Sequence, residues 1–236
     1  MFVLRYYLII ATSIFSNICL AGIQVGGTRI IFPASDREAT VQVRNEGTED
    51  IMVQSWIEAE SSQLENELPF AITPSLARLS YKKQQALRIF YQGKGLPLDR
   101  ESVFWLSVQE IPQLSKSDNT LQVAFRQRLK VFYRPSNLPG TPDEAAENLS
   151  WNLVSVSGRP MAVANNTSPF HISLGGVSVL VSGKEYTVEE KMVNPYSSSS
   201  MNIKGLLEKP EKVAEVKWES INDYGALVKH HSVTHP

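Results

Sequence analysis

Residues 39–58 read ATVQVRNEGTEDIMVQSWIE, two alternating runs on either side of a polar, glycine-bearing turn. In the first run Val41 and Val43 alternate with Thr40, Gln42 and Arg44, the period-2 spacing that places apolar side chains on one face of a strand. Residues 45–50 supply a hairpin-style connection. The second run, Ile51 to Glu58, is a second strand, in which Trp56 is expected as a core aromatic.

The same pattern recurs outward from this hairpin. Further strands are expected at residues 77–79, 85–91, 103–110 and 121–133, so that about seven strands, spaced as in a sandwich, fill residues 22–138. Residues 136–148, SNLPGTPDEAAEN, interrupt the alternation with two prolines, a glycine and an acidic cluster, and 139–148 is read as an interdomain linker. A second, less regular β-rich unit occupies 149–236, with runs at 149–156, 161–165, 171–181, 186–188, 201–203, 213–218 and near Leu227. Ser197 to Ser200 is expected to be a surface loop, and no repeat period indicates a solenoid or propeller. The fold class is therefore all-β.

The start of the chain reads as an export signal. A short basic segment, Met1 to Arg5, precedes an apolar run from Tyr6 to Ile18 that is too short to span a bilayer. Small residues at Cys19 and Ala21 fit a signal-peptidase site, so residues 1–21 are expected to be removed and Gly22 to be the mature start. Cys19 is the only cysteine, so the mature chain is expected to have no disulfide and to be held together by burial. With 23 Lys and Arg against 24 Asp and Glu, the near-zero net charge does not point to nucleic acid.

Catalytic chemistry finds little support. Histidines stand only at 171, 230, 231 and 235, there is no G-x-S-x-G or H-E-x-x-H pattern, and Gly93-Lys94-Gly95 lacks the spacing of a phosphate loop. The terminal His230, His231 and His235 read as a solvated tail, and the acidic pairs Glu58 with Glu60 and Glu189 with Glu190 as exposed strand ends. No metal or cofactor is expected. The sequence points to a binding protein and not to an enzyme.

The segment that stands apart is 120–135, TLQVAFRQRLKVFYRP. Leu121, Val123 and Phe125 share one parity, whereas Arg126, Arg128, Lys130 and Arg134 share the other. By alternation alone this is a long core strand with a solvated basic face.

Five separated motifs change that balance: GTRIIF (27–32), DRES (99–102), EIP (110–112), LKVFYRP (129–135) and INDYG (221–225). In this order, over essentially the whole mature chain, they resemble the periplasmic chaperones of the chaperone–usher pilus-assembly pathway. The short 110–120 segment and the lack of mature cysteines resemble its short-loop subgroup. The resemblance implies two immunoglobulin-like β-sandwiches set as a boomerang around a cleft. It implies that Arg29 and Lys130 anchor the C-terminal carboxylate of a pilus subunit. Leu121, Val123 and Phe125 would be the side chains donated to the subunit's incomplete sandwich, and Glu101, Arg134 and Asp223 a charge network joining the domains. Implied partners are fimbrial subunits and an outer-membrane usher, with self-association through the binding strand when free. The implied location is the periplasm. A secreted structural or adhesive pilus component is the alternative.

Three departures from the family accompany these expectations. Thr73-Pro74-Ser75 carries one proline where relatives often have two, leaving open whether its peptide is cis. The tail after Gly225 is expected to fall short of a terminal strand. Parity places Lys130 opposite the Leu121 stripe, which is expected to require a twist or bulge.

Overall fold

The computed structural model describes residues 22–60, 68–113, 119, 121–208 and 214–234. The expected signal segment, with Cys19, and His235 lie outside them. The described residues form two β-sandwiches in sequence.

The first sandwich contains nine strands among the described residues: β1 (Ile23–Val25), β2 (Arg29–Pro33), β3 (Ala39–Asn45), β4 (Ile51–Ala59), β5 (Phe70–Thr73), β6 (Leu76–Leu79), β7 (Gln84–Tyr91), β8 (Ser102–Ile111) and β9 (Arg126–Arg134). They make a four-stranded sheet ordered β1-β3-β7-β5 and a five-stranded sheet ordered β2-β9-β8-β4-β6. The strands expected at 39–44, 51–58, 77–79, 85–91 and 103–110 fall within these sheets and that at 121–133 only from Arg126 onward, while β1 and β5, which alternation does not single out, lie at the edges of the smaller sheet. The β3–β4 corner is built from the side chain of Asn45. Its buried amide donates to the carbonyls of Glu49 (2.7 Å) and Leu79 (3.0 Å) and accepts from the Gly47 N–H (2.9 Å). The corner thus consumes the polar groups that burial would otherwise strand.

Strict alternation in β3 puts Ala39, Val41 and Val43 into the core, with Leu87 and Ile89 of β7 and Leu106, Val108, Leu129 and Val131 of the facing sheet. Burying each large aliphatic side chain contributes about 1.5–3 kcal/mol before ordering costs. Trp56 does not join this core. In β4 it is Ile51, Val53 and the small Ser55 that face inward, so Trp56, one residue out of phase, lies half-buried on the outer face.

The second sandwich comprises β10 (Ser150–Val156), β11 (Arg159–Asn166), β12 (Leu174–Val181), β13 (Lys184–Thr187), β14 (Ser197–Asn202), β15 (Ala214–Ile221) and β16 (Leu227–Thr234). The sheets are ordered β10-β11-β14 and β13-β12-β15-β16. Three expectations are corrected here. Ser197 to Ser200 is no loop: it forms β14 with Met201 and Asn202, and residues 197–202 pair with 161–166. Small hydroxyl side chains leave the ladder unhindered, and Met201 supplies the buried contact.

The tail also contains a full strand, β16, paired along its length with β15. His230 is accordingly no solvated residue. Its ring stacks on Trp218 at 5.3 Å and shares a 2.8 Å hydrogen bond with Ser220.

Third, the expected linker contains a helix, α1 (Pro142–Glu147), in which Ala145 and Ala146 are buried in the second core. Thr141 and Glu144 close a reciprocal cap: the Glu144 N–H donates to Thr141 Oγ1 (3.2 Å) and the Thr141 N–H to Glu144 Oε2 (2.8 Å). Proline at N1, acidic residues in the first turn and this cap are helix-start signals, and in so short a segment they outweigh the breaker composition. The Thr73–Pro74 peptide is cis.

Candidate functional site

The site is organised by one pairing. β2 runs parallel to β9 with Arg29 beside Lys130 and Pro33 beside Arg134, which brings two basic residues far apart in sequence into lateral contact. Parallel neighbours with aligned register present their side chains on the same face.

Each cation meets the second sandwich. Arg29 Nη1 donates to the Ile221 carbonyl (2.7 Å), and its guanidinium lies over the Phe132 ring at 5.6 Å. Its Nε, however, is buried and donates to nothing among the described residues. Lys130 Nζ reaches Ser173 Oγ at 3.4 Å and lies 5.7 Å from the Trp105 ring centre. Burial lowers the pKa of Arg29, with Asp223 and Glu101 acting in the opposite direction. Burial and then the charge of Arg29 lower that of Lys130, only partly offset by Glu60. Two desolvated cations side by side are an arrangement chemically suited to accepting an anion.

Next to it stands a more complete network. Arg134 Nε donates to Glu101 Oε1 (2.7 Å), while Nη1 and Nη2 form a two-pronged pair with Asp223 (2.7 and 2.9 Å). Glu101 Oε2 accepts from the His171 N–H (2.8 Å), and the Arg134 guanidinium lies over Phe170 at 5.5 Å. Burial works against the charge of Arg134, yet the hydrogen bonds and charges of Asp223 and Glu101 more than offset it and hold the pKa above the ordinary guanidinium value. The structure therefore brings Glu101, Arg134 and Asp223 together across the boundary between the sandwiches. Arg29, Phe132, Arg134, Ser173, Ile221 and Asp223 line one recess there.

Leu121, Val123 and Phe125 are placed differently from expectation. The strand expected from residue 120 begins only at Arg126, and residues 121–125 belong to no strand. The three side chains are 87%, 56% and 54% exposed. The reason lies in the neighbours. β8 pairs with β9 from Ser102 opposite Tyr133 to Gln109 opposite Arg126, adds one bond from the Glu110 N–H to the Phe125 carbonyl (2.9 Å), and ends before Pro112. On the other side β2 covers only Lys130 to Arg134. Among the described residues, 121–125 and the first half of β9 thus present an uncovered backbone edge, a template for another strand.

No bulge separates the two roles that parity sets in conflict. The β8–β9 register is continuous. Leu121, Val123 and Phe125 share the odd-numbered parity of buried Leu129, Val131 and Tyr133 but lie before the paired strand begins. Arg126, Arg128 and Lys130 lie on the opposite face.

That face holds residues the sequence reading misses. Arg126 lies over Trp56 (4.9 Å) and Arg128 over Trp105 (4.6 Å). Glu58 bridges both arginines, at 3.0 Å from Arg128, and accepts from Trp56 Nε1 at 2.6 Å. Burial opposes ionisation of Glu58, but bonds from Trp56 and Ser107 with the two arginine charges bring its pKa below the ordinary carboxylate value. Glu58 is therefore an engaged residue and not an idle strand end. The even-numbered phase shared by Trp56 and Glu58 is the available signal. Ser173, His171 and the Ile221 carbonyl have none, because only tertiary docking brings them to the site.

Comparison with known proteins agrees with this geometry. Residues 22–139 match the family described as "Pili and flagellar-assembly chaperone, PapD N-terminal domain", and 144–232 match "Pili assembly chaperone PapD, C-terminal domain". The chain is 34% identical over 224 residues to the probable fimbrial chaperone YadV of Escherichia coli K12, covering 91% of each. It is 36% identical over 219 residues to the chaperone protein FimB/FhaD of Bordetella pertussis, covering 88% of this chain and 86% of the relative. The crystal structure of YadV superposes with a TM-score of 0.80 at 33% identity, covering 90% of this chain and all of the other. The Salmonella enterica chaperone SafB, solved in complex with the pilin SafA, gives 0.74 at 30% identity, covering 89% and 95%. The adhesive-subunit alternative finds no such support, since both sandwiches, in order, match chaperone domains. With two pilus-chaperone domains accounting for nearly all of residues 22–232, the chain belongs to the PapD family of pilus-assembly chaperones.

Proposed function

We propose that the chain captures a pilus subunit in the periplasm by pinning its terminal carboxylate between Arg29 and Lys130 while residues 121–129 pair with it as a strand. The observation that carries this reading is the parallel β2–β9 register that sets Arg29 beside Lys130, both cations desolvated by burial. A carboxylate accepts charge-assisted bonds from both and relieves the desolvation of both. With the carboxylate fixed, the next subunit residues lie along the uncovered edge of β9. Leu121, Val123 and Phe125 are then placed to enter a sandwich that lacks a strand, and backbone ladder bonds supply the sequence-independent part of the affinity. Strand addition between chaperone and pilin is an established recognition mode of pilus assembly, and the uncovered edge suits it.

Glu101, Arg134 and Asp223 act as the tie that keeps Ser173 and the Ile221 carbonyl against the two anchor residues. The chain works by binding, with no chemical turnover, and hands its cargo to an outer-membrane usher. Export uses residues 1–21, and the mature protein starts at Gly22. The SafB–SafA complex supports the subunit as partner, since a chaperone with this fold is seen there with a pilin.

The test is co-expression with a subunit from a chaperone–usher gene cluster, scored by periplasmic recovery of soluble subunit. Lys130→Ala and Arg29→Ala should each lower affinity by about 2–5 kcal/mol and abolish recovery. Wild-type recovery with both residues replaced would dismiss the anchor.

A further inference from the structure

Glu110 belongs to a motif that subunit capture does not use. It is the penultimate residue of β8, in phase with the core residues Leu106 and Val108, and is 8% exposed. Its Oε2 is buried with no hydrogen-bond partner among the described residues, and burial is the cause that raises its pKa. A buried carboxylate without a donor is costly and calls for a partner.

The backbone against which it packs is Gly22. A Cβ placed on Gly22 would fall 2.0 Å from Glu110 Oε2, 2.8 Å from Cδ and 2.9 Å from Oε1, so the carboxyl end of Glu110 lies directly against Gly22. Gly22 is held there, because its carbonyl accepts from the N–H groups of Glu46 (2.9 Å) and Gly47 (3.1 Å) and β1 follows directly. Standard bond lengths then put Gly22 N within about 4.5 Å of Oε2.

The charged neighbours are otherwise engaged. Glu46 is paired with Arg44 (2.8 Å) and Lys82 (2.7 Å). Val53 stands opposite Glu110 on β4, and from β9 the Gln127 amide donates to the Ile23 carbonyl (2.8 Å).

Hydrolysis of the Ala21–Gly22 amide consumes one water and leaves a carboxylate on Ala21 and an ammonium on Gly22, positive at neutral pH because α-amino groups titrate near ~7.7–8.0. We infer that Glu110 is the binding site for the chain's own processed N-terminus, and that signal removal completes the first sandwich by creating this ion pair. The pair lies where the subunit-binding arm departs, since the Glu110 N–H holds the Phe125 carbonyl. The inference rests on Gly22 being the mature first residue, as proposed above.

The test compares exported, processed protein, its first residue read by mass spectrometry, with a form carrying one extra serine before Gly22, each with and without Glu110→Gln. The added residue should lower the unfolding midpoint by about 2 °C or more, and Glu110→Gln should remove that difference. In the wild-type background, NMR titration of the Glu110 carboxyl should give a midpoint at least about one pH unit lower for the Gly22-start form. Equal midpoints for the two starts, or a difference that survives Glu110→Gln, would overturn the inference. A first residue other than Gly22 would overturn the proposed start and this pairing with it. A Gly22 start with equal midpoints would overturn the pairing alone.

Discussion

Replacing Arg134 by alanine should cost far more than replacing its partner Asp223, although both belong to one network. The difference follows from burial. The Glu101 side chain is 2% exposed, Arg134 20% and Asp223 33%. Arg134→Ala strands the Glu101 carboxylate in the interior with only the His171 N–H at 2.8 Å and the edge of the His171 ring. Breaking a buried pair by removing one partner costs about 3–5 kcal/mol, and the surviving His171 bond places this case near about 3. Asp223→Ala leaves Arg134 bonded to Glu101 and removes a carboxylate that water already reaches, a loss of about 0.5–1 kcal/mol. At about 2–4 °C per kcal/mol for a chain of this size, thermal unfolding followed by circular dichroism should show losses of about 6–12 °C and about 1–4 °C. The double variant Arg134→Ala with Glu101→Ala should unfold above Arg134→Ala alone, because it removes the stranded charge. If Asp223→Ala proves as costly as Arg134→Ala, or the double variant falls below the single one, the tie is not governed by Glu101 burial.

Other outcomes follow from the same geometry. Val123 is more than half exposed, so Val123→Glu should change the stability of the free protein by less than about 0.5 kcal/mol, while subunit binding in a competition assay weakens ~30-fold or more, because a charge would have to enter an apolar groove. Lys130 must be protonated to hold a carboxylate and its pKa is lowered, first by burial. Subunit affinity should therefore fall as pH rises through a value below the ordinary lysine value of ~10.4, and Lys130→Arg should extend binding to higher pH. In the free protein the sign reverses: the folded state sheds this proton before the unfolded state does, so over that window stability rises with pH. Thr141→Ala should destabilise the second sandwich by about 1 kcal/mol in urea titration through loss of the α1 cap, and an unchanged midpoint would show that the helix is held by Ala145 and Ala146 alone.

Much of the fold is legible because β-strands obey a two-residue period that a chain displays directly. Ala39 to Asn45 shows strict alternation, and each of its inward positions is buried. Legibility ends where composition and tertiary context disagree. The serines of β14 look like a loop because small polar residues are common in turns, yet they form a ladder once β11 offers a partner. The size of Trp56 argues for the core, although its phase against Ile51 and Val53 already excludes it. Residues 142–147 have the composition of a linker because proline and acidic residues break strands, and the same residues start helices.

The site divides along the same line. By itself the sequence determined that residues 121–134 carry an apolar stripe and a basic stripe of opposite parity, since alternation is a local property of an extended backbone. It could not determine that the apolar stripe would remain uncovered, which depends on where β8 ends and how little of β9 is flanked by β2. Alternation alone does not set Arg29 beside Lys130, a pairing that only the family resemblance implied, nor does it leave Arg29 Nε without a partner among the described residues. Those are consequences of a parallel pairing between segments distant in the chain and of the docking of Ser173 and Ile221 from the second sandwich. Only the folded chain creates the desolvation that makes those two cations require an anion.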